Sequence, residues 1–366
     1  MLHVLATLSP SGAERMLEVA APLASADGFR SALLSTGEAQ VGPFAPRLAA
    51  AGHDLYHVPF SRSISFLRRL FDFFRAERFD AVNIHCERAS IWIAAAARAA
   101  GTRRIIRTYH AVFPFDGPLR WRRSAQRAVA RGMFGAIGIA HSQSVIDNER
   151  RRFANPVRYV PAWIDPAFRP PSPGERDEAR RRLGLEDKTL VVACVGSCMA
   201  LKNHGALLEA VARLAGQGRD VVLLHAGTGS LEEQERASSA ALGIAGRVRF
   251  LGPIEDVLGV LHAADIFAMP SLREGLGIAA LEALASGLPA VFTDTEGLRD
   301  LRPLTRAARW GSPDAESIAA GLLELAQMPQ EERRALTAEA VLTTQRHHAA
   351  AVGWSMLRDI YTSACA

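Results

Sequence analysis

Two carboxylates eight residues apart, Glu274 and Glu282, and one of only two lysines, Lys202, point most directly to chemistry. Glu274 lies in Pro270-Ser-Leu-Arg-Glu-Gly-Leu-Gly-Ile278, a segment that reads as a strand end, a glycine loop and the start of a helix. Gly275 and Gly277 let backbone N–H groups approach a ligand closely. The helix from about Ile278 aims its positive end at the same place, which favours an anionic or polyhydroxyl ligand. Glu282 sits about one turn inside that helix, on the face that looks back at the loop, so the two acids can flank one ligand. Carboxylates accept hydrogen bonds from hydroxyls, and a sugar is rich in them. The plain alternative makes Glu282 a solvated helix residue and Glu274 a first-turn acid stabilised by the helix dipole. Of the 43 basic residues only Lys188 and Lys202 are lysine. A compact ammonium in an otherwise arginine-using chain suits a point contact with phosphate charge.

Other candidates are less specific. Gly12, in Ser9-Pro-Ser-Gly-Ala-Glu-Arg15, opens the first helix after the first strand, a turn that forms a phosphate-sized nook or merely permits close packing. Glu14 reads equally as a ligand and as a helix-start acid. His110 ends the run Ile105–Tyr109, and His85 and His141 also end strands. Residues 61–160 hold 19 arginines against 7 acids, a surplus that attracts phosphorylated acceptors or an anionic membrane. Arg120, Arg122, Arg123, Arg127 and Arg131 are the acceptor or membrane candidates within it. No nucleic-acid motif interleaves them, so nucleic acid is not expected as a partner. The stripe Ile64, Leu67, Leu70, Phe71 and Phe74 either lies on a membrane or covers a sheet; the strand expected at Ala81 favours the sheet. Cys86, Cys194, Cys198 and Cys365 show neither a CxxC pair nor metal-ligand spacing, so no metal and no disulfide are expected. No apolar run approaches a bilayer span, and Met1–Leu8 lacks the basic region of a signal peptide. A cytoplasmic protein, at most peripheral on the membrane, is expected.

The elements that must position these residues follow one pattern. Apolar runs His3–Leu8, Arg30–Ser35, Asp54–Pro59, Ala81–His85, Arg104–Tyr109, Ala136–His141 and Arg158–Pro161 alternate with helical stretches. After a proline-rich break the alternation restarts with Thr189–Gly196, Asp220–Ala226, Arg247–Gly252, Asp265–Pro270 and Pro289–Thr293. Continuous apolar strands separated by helices predict parallel sheets covered on both faces. The 366 residues suffice for two such α/β domains. The expected division is 1–164, a linker and first helix at 165–188, a second domain at 189–348, and a helix at 349–366 completing the first. Two doubly wound domains sharing a cleft would bind ligand at the carboxyl ends of their strands.

On these residues the chain resembles the retaining GT-B glycosyltransferases marked by E-x7-E, here Glu274-x7-Glu282, and the resemblance extends over nearly the whole sequence. It implies two facing Rossmann-like domains and the absence of any cofactor other than a nucleotide-sugar co-substrate. The first acid and the amides of Gly275, Leu276, Gly277 and Ile278 would meet the transferred sugar or the diphosphate, and Glu282 the ribose. Val195-Gly-Ser-Cys-Met-Ala-Leu-Lys202 resembles the segment whose Arg and Lys grip the diphosphate; Ser197 stands where that Arg is usual. Ser11-Gly12-Ala-Glu14 resembles a G-G-x-E turn, and His110 the histidine that reaches the donor sugar. The loop at Arg249 and Leu251 matches the place where the base is read, while Asp256 and Val257 read as cap and packing. Ala162 and Trp163 depart from the usual hinge N-G-[IV]-D, and Asp165 caps a turn. The implied function is metal-independent transfer of a hexose or N-acetylhexosamine, most often from UDP, to a glycan, glycolipid or natural-product hydroxyl with retention. The alternative is a non-catalytic nucleotide-sugar-binding or scaffold subunit of the same fold.

Overall fold

The computed structural model describes residues 1–37 and 41–363, and residue contacts divide the chain into two units. Residues 1–164 build the first, with strands β1 (Leu2–Leu5), β2 (Ala32–Ser35), β3 (Asp54–His57), β4 (Ala81–Ile84), β5 (Arg104–Tyr109), β6 (Ile137–Ala140) and β7 (Val157–Tyr159). Between them run helices α1 (Gly12–Ala26), α2 (Ala45–Ala50), α3 (Ile64–Glu77), α4 (Ser90–Ala99), α5 (Gly117–Phe134) and α6 (Gln143–Phe153). The sheet is parallel, in the order β3-β2-β1-β4-β5-β6-β7. β1, β2 and β4 are buried along their full length because helices cover both faces.

Residues 165–349 form the second unit, with helix α7 (Glu175–Arg182), strands β8 (Leu190–Val195), β9 (Val221–Ala226), β10 (Val248–Gly252), β11 (Ile266–Met269), β12 (Ala290–Thr293) and β13 (Ala308–Gly311), and helices α8 (His204–Gly216), α9 (Glu232–Ala241), α10 (Val257–Ala263), α11 (Ile278–Ala285), α12 (Ala315–Gln327) and α13 (Gln330–His348). Its parallel order is β10-β9-β8-β11-β12-β13. β13 was not among the expected strands; Ala-Arg-Trp-Gly carries no apolar run and depends on β12 for its pairing.

A helix α14 (Ala350–Thr362) then returns to the first unit and packs on α1. Trp354 Nε1 donates to Asp27 at 2.7 Å, and buried Asn83 Nδ2 donates to the Tyr361 hydroxyl at 3.2 Å.

The stretch 165–188 holds the expected helix as α7, whose buried Arg180 donates to the carbonyls of Ala263, Glu186 and Thr189 and pairs with Asp265. On α3 the buried face is Phe66, Leu70 and Phe74, which join the core of the first unit, while Ile64 is 85% exposed. Burying each such side chain contributes about 1.5–3 kcal/mol, so this stripe serves the sheet.

Each sheet has one point where strand order reverses. In the first unit it lies between β1 and β4, and in the second between β8 and β11. Loops diverge there and leave a crevice at the strands' carboxyl ends. The loops after β8 and β11 carry Lys202 and Glu274; those after β1 and β4 carry Gly12 and His85.

Candidate functional site

In the second unit the two loops at the reversal are knitted together. The loop after β8 ends in a 3₁₀ turn, Ala200–Lys202, and Asn203 follows with φ 55°. Asn203 Nδ2 donates to the carbonyls of Pro270 and Pro313, and Leu272 N donates to Leu201 O at 2.8 Å. This brings Lys202 Nζ to 2.6 Å from Glu274 Oε1, the oxygen that also accepts from Ser271 Oγ at 2.6 Å. The ammonium and the carboxylate that the sequence suggested for diphosphate and sugar therefore face each other as a half-buried ion pair.

Gly227 explains how the first loop seats. Its φ is 143°, and a Cβ there would stand 1.9 Å from Gly196 O. Gly277, with φ 84°, precedes α11 directly, so the helix N-terminus opens beside Gly275 and buried Leu276. Ile278 is the first helical residue. Glu282 is buried on α11, not solvated, and Ser197 is half-buried. Arg249 Nη2 donates to Gly184 O at 3.0 Å, so its side chain is committed to the fold, while Leu251 is half-buried at the end of β10. Asp256 caps α10 through Gly259 N, with Val257 packed behind it.

In the first unit, histidines within or just after adjacent strands form a row. His3 Nδ1 lies 3.0 Å from His85 Nε2, and His85 Nδ1 lies 2.8 Å from His110 Nε2. His141 packs against His110 with ring centroids 5.4 Å apart, and its Nδ1 donates to Val160 O. Burial holds His3, His85 and His110 well below the ordinary histidine range, so these rings are neutral. His110 is half-buried and lines a small cavity together with Asn83, Thr108 and Trp163. Trp163 Nε1 donates to Met16 O, which locks this residue onto α1; Asp165 accepts from Ala167 N.

The remaining candidates of the first unit take the following places. Ser11 caps α1 and donates to Glu14, whose carboxyl burial raises above its usual range; Gly12 is the first helical residue. Arg127 is buried and grips Glu149 with two nitrogens, at 2.7 and 3.0 Å, and Glu87 with the third. Arg123 bonds Gln126 and pairs with Glu87, and Arg120 donates to Arg152 O. Arg127 therefore holds α5 to α6 and is not available to an acceptor.

Sequence spacing carried no sign of a second grouping: Cys198, His204, His225 and Glu235, all buried, converge at the carboxyl end of the second sheet. Cys86, Cys194 and Cys198 are free thiols, and Cys365 lies outside the described residues.

Comparison with known proteins supplies the family. The sequence model described as "Glycosyl transferases group 1" matches residues 175–341, and "Glycosyltransferase Family 4" matches residues 10–168. A GDP-mannose-dependent monoacylated alpha-(1-6)-phosphatidylinositol monomannoside mannosyltransferase of Corynebacterium glutamicum is 33% identical over 182 residues, 47% of each chain. A D-inositol 3-phosphate glycosyltransferase of Corynebacterium jeikeium is 41% identical over 152 residues, 39% of this chain and 36% of that one. The match thus spans less than half the length of either relative. The solved structure of HepE from Anabaena in complex with UDP and glucose superposes with a TM-score of 0.82 over 99% of both chains at 19% identity, a likeness of fold.

Proposed function

The chain belongs to the group 1 glycosyltransferases, enzymes of GT-B fold, and from that premise we propose that it transfers a hexose or N-acetylhexosamine from a nucleoside diphosphate, with retention. The observation that carries this reading is the Lys202–Glu274 pair at the reversal point of the second sheet. A donor diphosphate would take over the Lys202 ammonium, freeing Glu274 to accept from sugar hydroxyls beside the amides of Gly275 to Ile278. Charge growing on the leaving diphosphate is met by Lys202 and by the α11 N-terminus without a divalent ion. Ser197 leaves Lys202 as the one side-chain cation of that segment.

By resemblance, the departing diphosphate receives the proton of the incoming hydroxyl on the same face, and His110 is the sugar contact supplied by the first unit. Glu282 is assigned to the ribose. UDP is the first donor base to test, as HepE was solved with it; GDP is the second, because the Corynebacterium glutamicum relative is GDP-mannose-dependent. The acceptor is a hydroxyl of a glycan, glycolipid or natural product. The arginine surplus of residues 61–160 supports an anionic one, reached at the cytoplasmic face of a membrane.

The test is thermal denaturation against UDP, GDP and ADP. A ligand at about 100 times its Kd stabilises the folded state by about 2.7 kcal/mol. One base should raise Tm in the wild type and not in Lys202→Ala. Equal shifts in both proteins, or none with any base, would overturn the assignment of Lys202.

A further inference from the structure

Cys198, His204, His225 and Glu235 come from four successive pieces of the second unit: the loop after β8, the first residue of α8, the penultimate residue of β9 and the first turns of α9. They are 0%, 4%, 1% and 6% exposed. One nitrogen, oxygen or sulfur from each lies within 4.8 Å of all the others. His204 Nδ1 is 2.9 Å from His225 Nε2 and 3.0 Å from Glu235 Oε1, and His225 Nε2 is 3.8 Å from Glu235 Oε2.

Proton accounting makes this cluster unusual. A single proton on His204 Nδ1 must serve both the imidazole and the carboxylate that face it. Moving the proton to His225 Nε2 turns a bare His204 nitrogen toward a carboxylate. In either arrangement Glu235 Oε2 is buried with no neighbour but the weakly donating Cys198 thiol, a costly condition for a carboxylate in an apolar surround. Leu207, Val211 and Cys194 pack the adjoining core, and the Phe250 ring lies 5.4 Å from that of His225. Lone pairs converging from sulfur, two nitrogens and a carboxylate are what a borderline-soft divalent cation requires.

We propose that these four residues form a closed, structural zinc site. Tetrahedral ligands of zinc stand about 3.3 to 3.8 Å apart, given bonds of about 2.0 to 2.3 Å. The separations quoted above bracket that spacing, so small side-chain movements close the site. Binding releases the Cys198 proton to solvent, leaves a thiolate on the metal, and displaces the proton between the two imidazoles to the outward nitrogen of its ring, so that both facing nitrogens are bare. Four protein ligands leave no open position for substrate, so the ion holds structure and takes no part in transfer. It fastens the loop Gly196–Asn203 to β9 and α9 from beneath. Since His204 lies two residues beyond Lys202, the ion also fixes the base of the loop that presents the ammonium. That last consequence rests on the donor reading; the site itself does not.

The experiment uses the full chain, purified through a tag without histidine from zinc-supplemented cells. Elemental analysis should find close to one zinc per chain. Chelation should lower Tm, and zinc should restore it. Cobalt(II) in place of zinc should give the visible bands of a tetrahedral ion and a near-ultraviolet thiolate charge-transfer band. Cys198→Ser should lose the thiolate band and Glu235→Gln should bind cobalt more weakly, while Cys86→Ser should change neither. Three results would each overturn the proposal: a wild-type chain without stoichiometric zinc that also gives no tetrahedral cobalt spectrum; a Tm indifferent to chelator and zinc; or wild-type metal content and spectrum in both cluster variants. Should a variant misfold, the wild-type measurements decide alone. A chain that holds zinc yet shows no nucleotide-induced shift would sink the donor reading and leave the site standing.

Discussion

Acidification should weaken the first unit through its row of histidines, and the size of the effect follows from their burial. Unfolded, each titrates near its ordinary value of 6.5; folded, burial first and the neighbouring positive charges second push His3 and His85 well below it. The unfolded state then binds more protons than the folded one throughout the window below 6.5. Stability is flat above about pH 7.5 and falls as pH drops through that window, by about 1.4 kcal/mol per histidine between about pH 7.5 and 5.5. The pair His3 and His85 accounts for about 3 kcal/mol. His110, lowered by burial in the same way, adds to that loss. The assay is urea denaturation at the two pH values in a Trp310→Phe background, where the other four tryptophans, Trp92, Trp121, Trp163 and Trp354, all belong to the first unit and report it alone. His85→Gln keeps a donor and an acceptor between His3 and His110 but cannot titrate. It should reduce the loss on acidification by about 1.4 kcal/mol. An unchanged pH dependence in that variant would refute the argument that the row is held neutral by burial.

Other outcomes follow from contacts already described. Glu274→Gln should lower turnover about 10²- to 10³-fold while binding the nucleotide no more weakly, because Lys202 loses its competing partner; kinetics beside titration calorimetry read both, and turnover within a few-fold of wild type would remove Glu274 from the chemistry. Arg127→Met leaves Glu149 buried and unneutralised, and should cost about 3–5 kcal/mol of stability; a loss of activity at unchanged Tm would instead restore it as an acceptor contact. Gly227→Ala drives a methyl into Gly196 O and should weaken both the fluorescence transition of Trp310 and nucleotide binding. Trp354→Phe removes the hydrogen bond to Asp27 and should cost the first unit about 1 kcal/mol in the same urea assay.

The parallel sheets were legible because buried strands are apolar along their whole length and helices of regular period separate them. β13 was not, since four residues including Arg309 and Trp310 have no pattern of their own and become a strand only by pairing with β12. Lys202 stood out by its rarity and Glu274 by its glycine neighbours, yet nothing in their spacing of 72 residues says that they meet. Fold topology does that, by placing the ends of β8 and β11 side by side. Arg127 misled for the opposite reason: an arginine-rich helix looks like a charged surface until Glu87 and Glu149, far along the chain, are seen beneath it. The Cys198 cluster escaped, and so did the joining of His3 to the strand-end histidines, because the members lie on separate strands and loops that only the register brings together.

The return of α14 to the first unit sets an order of events during synthesis. Residues 165–349 contain every strand of the second sheet, so that unit has its full complement of side chains while α14 is still unmade. The first unit begins earlier and finishes later: Trp354, Leu357, Ile360 and Tyr361 arrive after almost two hundred intervening residues have left the ribosome. Until they dock, the surface of α1 around Asp27 and Phe29 stays uncovered and available to chaperones. A released chain ending at Ala349 should therefore carry a protease-resistant second unit and a first unit that is still open to digestion.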